Sequence, residues 1–414
     1  MASATSPVRP VSVAAMGAGN GLGRIDSIDI LRGLVMVIMA LDHTRDYFTN
    51  LRFEPENLAQ TYYALFFTRW LTHFCAPLFF FLAGTGAFFY GRRRTPAQLS
   101  RFLWTRGLWL IVLEFTIIGT AWSFQLPWGF FGVIWTLGAC MVIMAALVRL
   151  PVKWLAAVSL LVIATHDLFD KVRPGQFGDY GWIWMLLHVR GFVFLPFKIP
   201  EFVLFQIIPW VAVMGAGYAF GSLYLLDPSQ RRRWIAWIGA IACVSFILLR
   251  VTNLYGNPPT GLGGVSQGDW HVQPTVEKTI ILFLDVEKYP PSLQFLLMTL
   301  GPSLLLLAWM EKRVDRGSST LLSPLVLFGR VPLFFYILHL YLIHVMAVLA
   351  AMLFKQPVDW LFHGAFFAGY PDVYGHDLPF IYLMWITAVA ILHFPCRWWA
   401  GLKQRRKDWW LSYL

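Results

Sequence analysis

The fold of this chain is decided by the stretch Ser27-Ile-Asp-Ile-Leu-Arg-Gly-Leu-Val-Met-Val-Ile-Met-Ala-Leu-Asp-His-Thr-Arg-Asp-Tyr-Phe48. Its middle, from Leu31 to Leu41, holds a single charged residue, Arg32, whereas acids and bases flank it on both sides. Because an α-helix needs about 20 mainly apolar residues to cross a bilayer, the flanking charges must lie at the two membrane interfaces. Ionisable groups at that depth are costly, so their presence indicates a function beyond anchoring.

The composition predicts a polytopic membrane protein. Of the 414 residues, 58% are hydrophobic and only 13% are charged, against about 25% charged residues in a soluble domain. Further apolar runs of about 20 residues follow, without the alternating pattern of a β-barrel. We therefore predict an all-α helical bundle of about ten transmembrane helices, of which the ninth is long enough to be broken. The predicted spans lie near residues 28–48, 68–90, 102–123, 130–149, 153–168, 201–226, 234–254, 292–311, 321–353 and 380–400.

The distribution of basic residues predicts the orientation of the bundle. Most Lys and Arg residues between spans fall on one side, which the positive-inside rule makes cytoplasmic, and both termini then lie in the cytoplasm. These loops face anionic lipid, so the net charge of +11 does not require a nucleic-acid partner. The longer connections on the opposite face, 49–67, 169–200, 255–291 and 354–379, either form a binding vestibule or merely join spans.

Three segments are predicted along the chain. Residues 1–24 read as a disordered cytoplasmic tail, residues 25–402 as the transmembrane domain, and residues 403–414 as a basic and aromatic cytoplasmic tail. The cysteines lie in apolar runs without CxxC spacing, which predicts buried thiols and neither disulfides nor a metal site. They are Cys75, Cys140, Cys243 and Cys396.

The first span carries a stripe that is polar at both ends and apolar between. At 3.6 residues per turn the stripe contains Arg32, Met36, Met39, His43 and Asp46. Arg32 and His43 are separated by about 16 Å of helix rise, comparable to the reach of a pantetheine arm. The stripe could therefore connect a cytoplasmic cofactor to an outward-facing site. The alternative is structural, with the charges pairing locally or with a neighbouring helix.

The outer end of this span is a candidate catalytic centre. Histidine is the natural general base near neutral pH, so His43 is the candidate base. A neighbouring carboxylate, Asp42 or Asp46, could fix its tautomer, and Arg45 could hold a polar substrate.

Two later spans add candidate ligands. His73 enters the membrane four residues before Pro77, while Tyr336 and His339 share a helix face at i,i+3. Each is either a substrate ligand or a hydrogen-bonded packing residue. Glu114, midway along the third span, needs a proton, a cation or another helix as its partner.

The basic residues of the cytoplasmic face are candidate phosphate ligands, since Arg binds phosphate oxygens bidentately. Contact with lipid headgroups would account for each of them equally well. No P-loop, dinucleotide fingerprint, zinc-protease motif or nucleophile elbow occurs in a convincing context, which disfavours the corresponding chemistries. The candidates are Arg32, Arg92, Arg93, Arg94, Arg101, Arg106 and Arg330.

Two parts of the chain resemble the transmembrane acyltransferases related to heparan-α-glucosaminide N-acetyltransferase. One comprises Ser27-Ile-Asp29-x-x-Arg32-Gly33, the helix end Asp42-His43-x-Arg45-Asp46, and the second span from Pro77 to Gly84. The other is Gly329-Arg-Val-Pro-Leu-Phe-Phe-Tyr-x-Leu-His339, which is similar to a late helix of that family. The resemblance implies transfer of an acetyl group from cytoplasmic acetyl-CoA to an acceptor across the membrane, through an intramembrane tunnel for the pantetheine arm.

The chain departs from the family at the catalytic histidine. The family's histidine lies in the loop after the first helix, but no His occurs between Thr44 and Thr72 here. The base must then be His43, His73 or a residue from elsewhere, and the eukaryotic sugar acceptor is not carried over.

The resulting hypothesis is a bacterial-type acyltransferase of the inner (plasma) membrane. His43 is the predicted base, with Asp42 and Asp46 beside it, and an acyl-His intermediate is the alternative. Predicted substrate ligands are Arg45, His73, Tyr336 and His339. The partners are acetyl-CoA as donor, the bilayer, and an extracytoplasmic sugar or amine as acceptor, without a metal; a homo-oligomer is compatible with the sequence. A transporter or permease is the alternative function, and a non-catalytic scaffold is the third.

Overall fold

The computed structural model describes residues 25–125, 129–194, 200–258, 266–314, 322–362, 370–406 and 408–412. The predicted N-terminal tail, residues 1–24, lies outside the described residues, as do residues 407, 413 and 414 of the predicted C-terminal tail. The described chain is 75% helical with almost no strand, which confirms the predicted all-α membrane bundle.

The predicted spans correspond to helices of the structure. Among the described residues, eight segments are long and apolar enough to cross a membrane. The predicted span 130–149 is a shorter apolar helix of 15 residues, and the predicted span 28–48 is a 23-residue helix with charges at both ends. The helices are α1 Asp26–Phe48, α2 Tyr63–Thr72, α3 Cys75–Gly91, α4 Pro96–Leu113, α5 Gly119–Ser123, α6 Val133–Leu147, α7 Val152–Thr165, α8 Gly181–His188, α9 Ile207–Phe220, α10 Pro228–Thr252, α11 Val276–Leu284, α12 Leu293–Val314, α13 Ser323–Arg330, α14 Pro332–Leu353 and α15 Leu378–Arg405.

Two sides of the bundle differ in their connections. We call the side with the short connections 92–95, 148–151, 226–227 and 315–322 the basic side. The side with the long connections 49–62, 166–206, 253–292 and 354–377 is the loop side. Helix α1 begins on the basic side and ends on the loop side.

Helix α1 lies at the centre of the bundle, in contact with α2, α3, α12, α13, α14 and α15. Its approach to α13 depends on two glycines. A Cβ on Gly33 would overlap the carbonyl of Leu325, and a Cβ on Gly329 would overlap the carbonyl of Asp29. Small residues let membrane helices approach this closely, so these glycines fix the position of α1 and of its polar stripe.

The ninth predicted span is broken, as expected. Helix α13 ends at Arg330 and α14 begins at Pro332, with Val331 in a non-helical conformation between them. Proline has no backbone N–H and disfavours helical geometry in the residue before it, which explains the break. The third span is also irregular, because α4 continues into a π-helical turn at Glu114–Ile118 before α5.

The loop side carries a small sheet that the sequence reasoning did not predict. Its strands are β1 Phe130–Phe131, β2 Gly191–Phe194 and β3 Pro200–Val203, in the order β1-β3-β2. Strand β3 pairs parallel with β1 and antiparallel with β2. The connection 166–206 therefore folds back on itself through β2 and β3 and pairs with the segment that precedes α6.

Two further predictions concern the cysteines and the C-terminal end. Cys75, Cys140 and Cys396 are buried free thiols as predicted, whereas Cys243 on α10 is only half-buried, which corrects the prediction. Helix α15 extends to Arg405, past the predicted domain end at 402, and Leu411 is buried against the bundle.

Candidate active site

In the part of the chain that the structure describes, an outer and an inner cavity within the bundle share part of their walls. The outer cavity, of about 270 Å³, opens among the loop-side connections, and the inner cavity, of about 370 Å³, lies between the helices toward the basic side. Phe79 of α3, Val133 of α6 and Tyr336 of α14 line both cavities. We call the wall formed by these three side chains, which borders both cavities, the junction.

The predicted stripe of α1 runs along both cavities. Arg32 and Met36 line the inner cavity, and Met39, His43 and Asp46 line the outer one. The helical period alone placed these five residues on one face, and in the structure this face lines the inner cavity with two of them and the outer cavity with the other three.

His43 is held by a histidine from another helix. Its Nδ1 lies 2.6 Å from Nε2 of His339, and Nδ1 of His339 lies 3.2 Å from the carbonyl oxygen of Phe335. A carbonyl oxygen only accepts, so Nδ1 of His339 carries its proton and its Nε2 is the acceptor. Nδ1 of His43 must then donate to it. The hydrogen-bond pattern thus assigns the tautomer in which Nε2 of His43 keeps a lone pair, as a general base requires.

The aspartates beside His43, which we predicted to orient its ring, make their direct contacts with arginines. Arg45 contacts Asp42 at 2.8 Å and Asp46 at 2.7 Å, and Arg69 of α2 contacts Asp42 at 2.8 Å. Successive helical residues point about 100° apart, so the Asp42 carboxylate faces α2 while His43 faces α14. Arg45, a predicted substrate ligand, lines the outer cavity while it holds both carboxylates.

The ion-pair chain continues away from the outer cavity to His73. Arg69 donates from Nε to Oε1 of Glu56 at 2.8 Å, and Nε2 of His73 lies 3.4 Å from the same oxygen. Burial raises the pKa of the Glu56 carboxyl, but Arg69 and His73 outweigh it and hold that pKa well below its ordinary value. His73 is 2% exposed and lines neither cavity. The structure therefore does not place His73 as a substrate ligand.

The predicted phosphate ligands fall into four groups on the basic side. Arg32 and Arg106 line the inner cavity. Arg94 lies with its guanidinium 3.9 Å from the ring centroid of Tyr90, another lining residue. Arg330 contacts Asp26 at 3.2 Å and Asp29 at 3.7 Å and lines neither cavity. The remaining three are exposed and line neither cavity: Arg92, Arg93 and Arg101.

Sequence reasoning missed several residues of the outer cavity. Glu114 lines it, and its Oε2 accepts a hydrogen bond of 3.1 Å from the backbone N–H of Trp135 in the first turn of α6. A carboxylate is favourable at this positive helix end. The sequence did contain a signal for Glu114, because an acid midway along a membrane span needs a partner or a function. Lys288, Arg190 and Trp122 also line the cavity, without a local signal in the sequence.

Comparison with known proteins connects this site to a family. A family model described as heparan-α-glucosaminide N-acetyltransferase, catalytic, matches residues 24–250. The matched part is more than half of the 414 residues and includes His43 and Arg69. It ends before Lys288 and His339. No curated protein matches the chain.

Proposed function

The chain belongs to the heparan-α-glucosaminide N-acetyltransferase family, and we propose that it moves an acetyl group from acetyl-CoA on the basic side to an acceptor amine or hydroxyl on the loop side. Membership makes the protein a membrane acetyltransferase, and eight apolar helices make it a multi-pass one. The observation that carries the proposal is the wall that the two cavities share at Tyr336, whose ring centroid lies 6.2 Å from that of His43. In the proposed orientation the basic side faces the bacterial cytoplasm.

The inner cavity suits the pantetheine arm of the donor. Its wall is mainly apolar between α3, α4, α6 and α14, and it carries Arg32 and Arg106. Arg94, stacked on Tyr90, lies close to the same cavity. Guanidinium groups recognise phosphate oxygens, so these three arginines are the proposed ligands of the CoA phosphates. The thioester would then reach the junction at Tyr336.

The outer cavity would hold the acceptor. Its nitrogen or oxygen attacks the thioester carbonyl carbon while Nε2 of His43 takes the proton. Collapse of the tetrahedral intermediate breaks the C–S bond, and the proton passes from His43 to the departing thiolate of CoA. His339 acts as a positioning residue, because it accepts from Nδ1 of His43 throughout. Direct transfer of this kind needs no acyl-His intermediate.

Tyr336 is the proposed donor to the oxyanion. Its ring centroid lies 6.2 Å from that of His43, and within the described chain its hydroxyl makes no hydrogen bond. A Tyr336→Phe substitution should lower kcat by about 10²-fold to 10³-fold, because it removes one oxyanion donor and keeps the ring. Steady-state kinetics with acetyl-CoA measure this, and Tyr341→Phe on the same helix, outside both cavities, is the matched control. A kcat equal to that of the control would exclude this role.

If His339 positions His43, a glutamine at position 339 should restore the activity that an alanine there removes. His339→Ala leaves Nδ1 of His43 without its acceptor and should lower kcat by about 10²-fold, toward the low end of general-base contributions. His339→Gln supplies an amide oxygen at similar reach and should restore most of the rate. The KM for acetyl-CoA should stay nearly constant in both variants. Equal losses in the Ala and Gln variants would indicate a packing role instead.

The proposed function is tested with purified protein in proteoliposomes. Radiolabelled acetyl-CoA is supplied on the basic side, cell-envelope extract is enclosed on the loop side, and labelled products are identified. We expect an enclosed product that carries the acetyl group, with stoichiometric release of CoA. Movement of a solute without consumption of acetyl-CoA would support the transporter alternative and overturn the proposal.

A further inference from the structure

Lys288 is a buried cation in the wall of the outer cavity. It is 4% exposed and belongs to the loop-side connection between α11 and α12. This segment is held firmly. The backbone N–H of Glu287 donates to Oδ1 of Asn257 at 2.7 Å, and that of Ser292 donates to the carbonyl of Glu287 at 2.9 Å. An antiparallel bridge joins Lys288 to Pro291. The ammonium group is therefore presented by an ordered loop.

The nearby carboxylates are bound to other groups. Asp42 and Asp46 contact Arg45 and Arg69, and Glu114 accepts from the first turn of α6. The carboxylate of Glu287 accepts from the backbone N–H groups of Tyr289 at 2.8 Å and Ser266 at 3.3 Å.

No ion pair reaches Lys288 within the described residues. Its Nζ lies 5.1 Å from the ring centroid of Tyr289, and its charge also acts at longer range on Asp42, a carboxylate that two arginines already contact. Glu54, the remaining acid of the cavity wall, is exposed. Among the described residues, the cavity therefore contains a buried ammonium with no carboxylate in direct ion-pair contact.

A second cation lies in the same wall. The guanidinium carbon of Arg190 is 5.7 Å from the ring centroid of Phe202 and 5.0 Å from that of Tyr289. Arg190 and Lys288 thus flank the Tyr289 ring, at the part of the outer cavity built by the loop-side connections. An aromatic surface with cations beside it suits a ring-shaped ligand that bears an acidic group.

We propose that the acceptor carries an acidic group, a carboxylate or a phosphate, which Lys288 binds while the acceptor amine or hydroxyl meets His43. Burying an ammonium without a direct ion-pair partner is costly, and a ligand anion in contact with it reduces that cost on binding. The inference rests on the proposed acetyl transfer for the identity of the ligand. Lys288 is then a specificity-determining residue, and acidic sugars are the substrate class.

Binding is tested apart from transfer with three amino sugars that differ in one substituent. The probes are glucosamine, 2-amino-2-deoxyglucuronate and glucosamine 6-phosphate, and their dissociation constants are measured by calorimetry on the full chain. At least one acidic probe should bind about 10-fold to 100-fold more tightly than glucosamine, since hydrogen bonds to charged groups contribute that much. The two acidic probes distinguish carboxylate from phosphate recognition.

Substitutions of Lys288 test whether this residue causes the preference for acidic probes. Lys288→Met should reduce the ratio of acidic to neutral affinity to about 1, and Lys288→Arg should keep a ratio well above 1. Lys278→Met, on the neighbouring α11 and outside the outer cavity, should leave the ratio unchanged. Equal binding of all probes by the wild-type chain, or an unchanged ratio in a folded Lys288→Met variant, would overturn the inference.

Acetyl transfer to the same probes separates this inference from the proposed function. Transfer without an acidic preference in binding or in kcat/KM would refute the acidic acceptor and leave the proposed function intact. A Lys288-dependent acidic preference in binding, with no transfer to any probe or envelope component, would refute the proposed function and retain the anion site.

Discussion

A His43→Gln variant is expected to lose acyl transfer by about 10³-fold or more in kcat, within the range of general-base contributions, while still binding acetyl-CoA. The glutamine amide can donate to Nε2 of His339 and so replace the hydrogen bond that His43 makes at 2.6 Å. It has no basic nitrogen to take the acceptor proton. The variant therefore removes the chemistry and keeps the packing, and single-turnover release of CoA measures the loss.

The control for this variant is another histidine of the loop side. His271 is exposed and lines neither cavity, so His271→Gln should transfer acetyl groups at the wild-type rate. Thermal unfolding of both variants with and without CoA shows whether the donor still binds, because a ligand stabilises only the state that binds it. If folded His43→Gln keeps more than about a tenth of the wild-type rate, His43 is not the base.

The parts of the site that lie on one helix could be predicted from the spacing and type of neighbouring residues in the sequence. The face of α1 that lines both cavities follows from the 3.6-residue period, since Arg32, Met39 and His43 fall on it whatever α1 packs against. The break before α14 follows from Pro332 for the same reason, because proline acts on its own backbone and on the residue before it. The fold class follows from hydropathy alone.

The partners of those residues could not be predicted from local pattern. His339 lies 296 positions from His43 in the chain, and only the packing of α14 on α1 brings the two rings together. Asp42 is next to His43 in sequence, yet the helix turns it toward Arg69. Lys288 reaches the outer cavity through a loop whose conformation depends on Asn257 and Glu287. A single sequence carries no signal for such distant pairs.

The inner cavity allows the route of the donor to be blocked without disturbing the fold. Gly86 of α3 lines this cavity, and a Cβ built on it meets no atom within 4 Å. A side chain at this position therefore enters the cavity and does not press into a neighbouring helix. Replacing glycine inside a helix also tends to stabilise it, by about 1 kcal/mol for alanine. Gly86→Phe should thus fold and fill part of the proposed path of the pantetheine arm.

The expected effect of Gly86→Phe is a fall of about 10²-fold or more in kcat/KM for acetyl-CoA, since a displacement of about 1 Å at the reacting atoms costs that much. Gly86→Ala adds one methyl group to open space and should keep near wild-type activity. Thermal stabilisation by CoA, measured beside the kinetics, should decline in the Phe variant and persist in the Ala variant. Wild-type kinetics in a folded Gly86→Phe protein would mean that the donor does not pass through the inner cavity, because the added ring would reduce the space that Gly86 leaves open there.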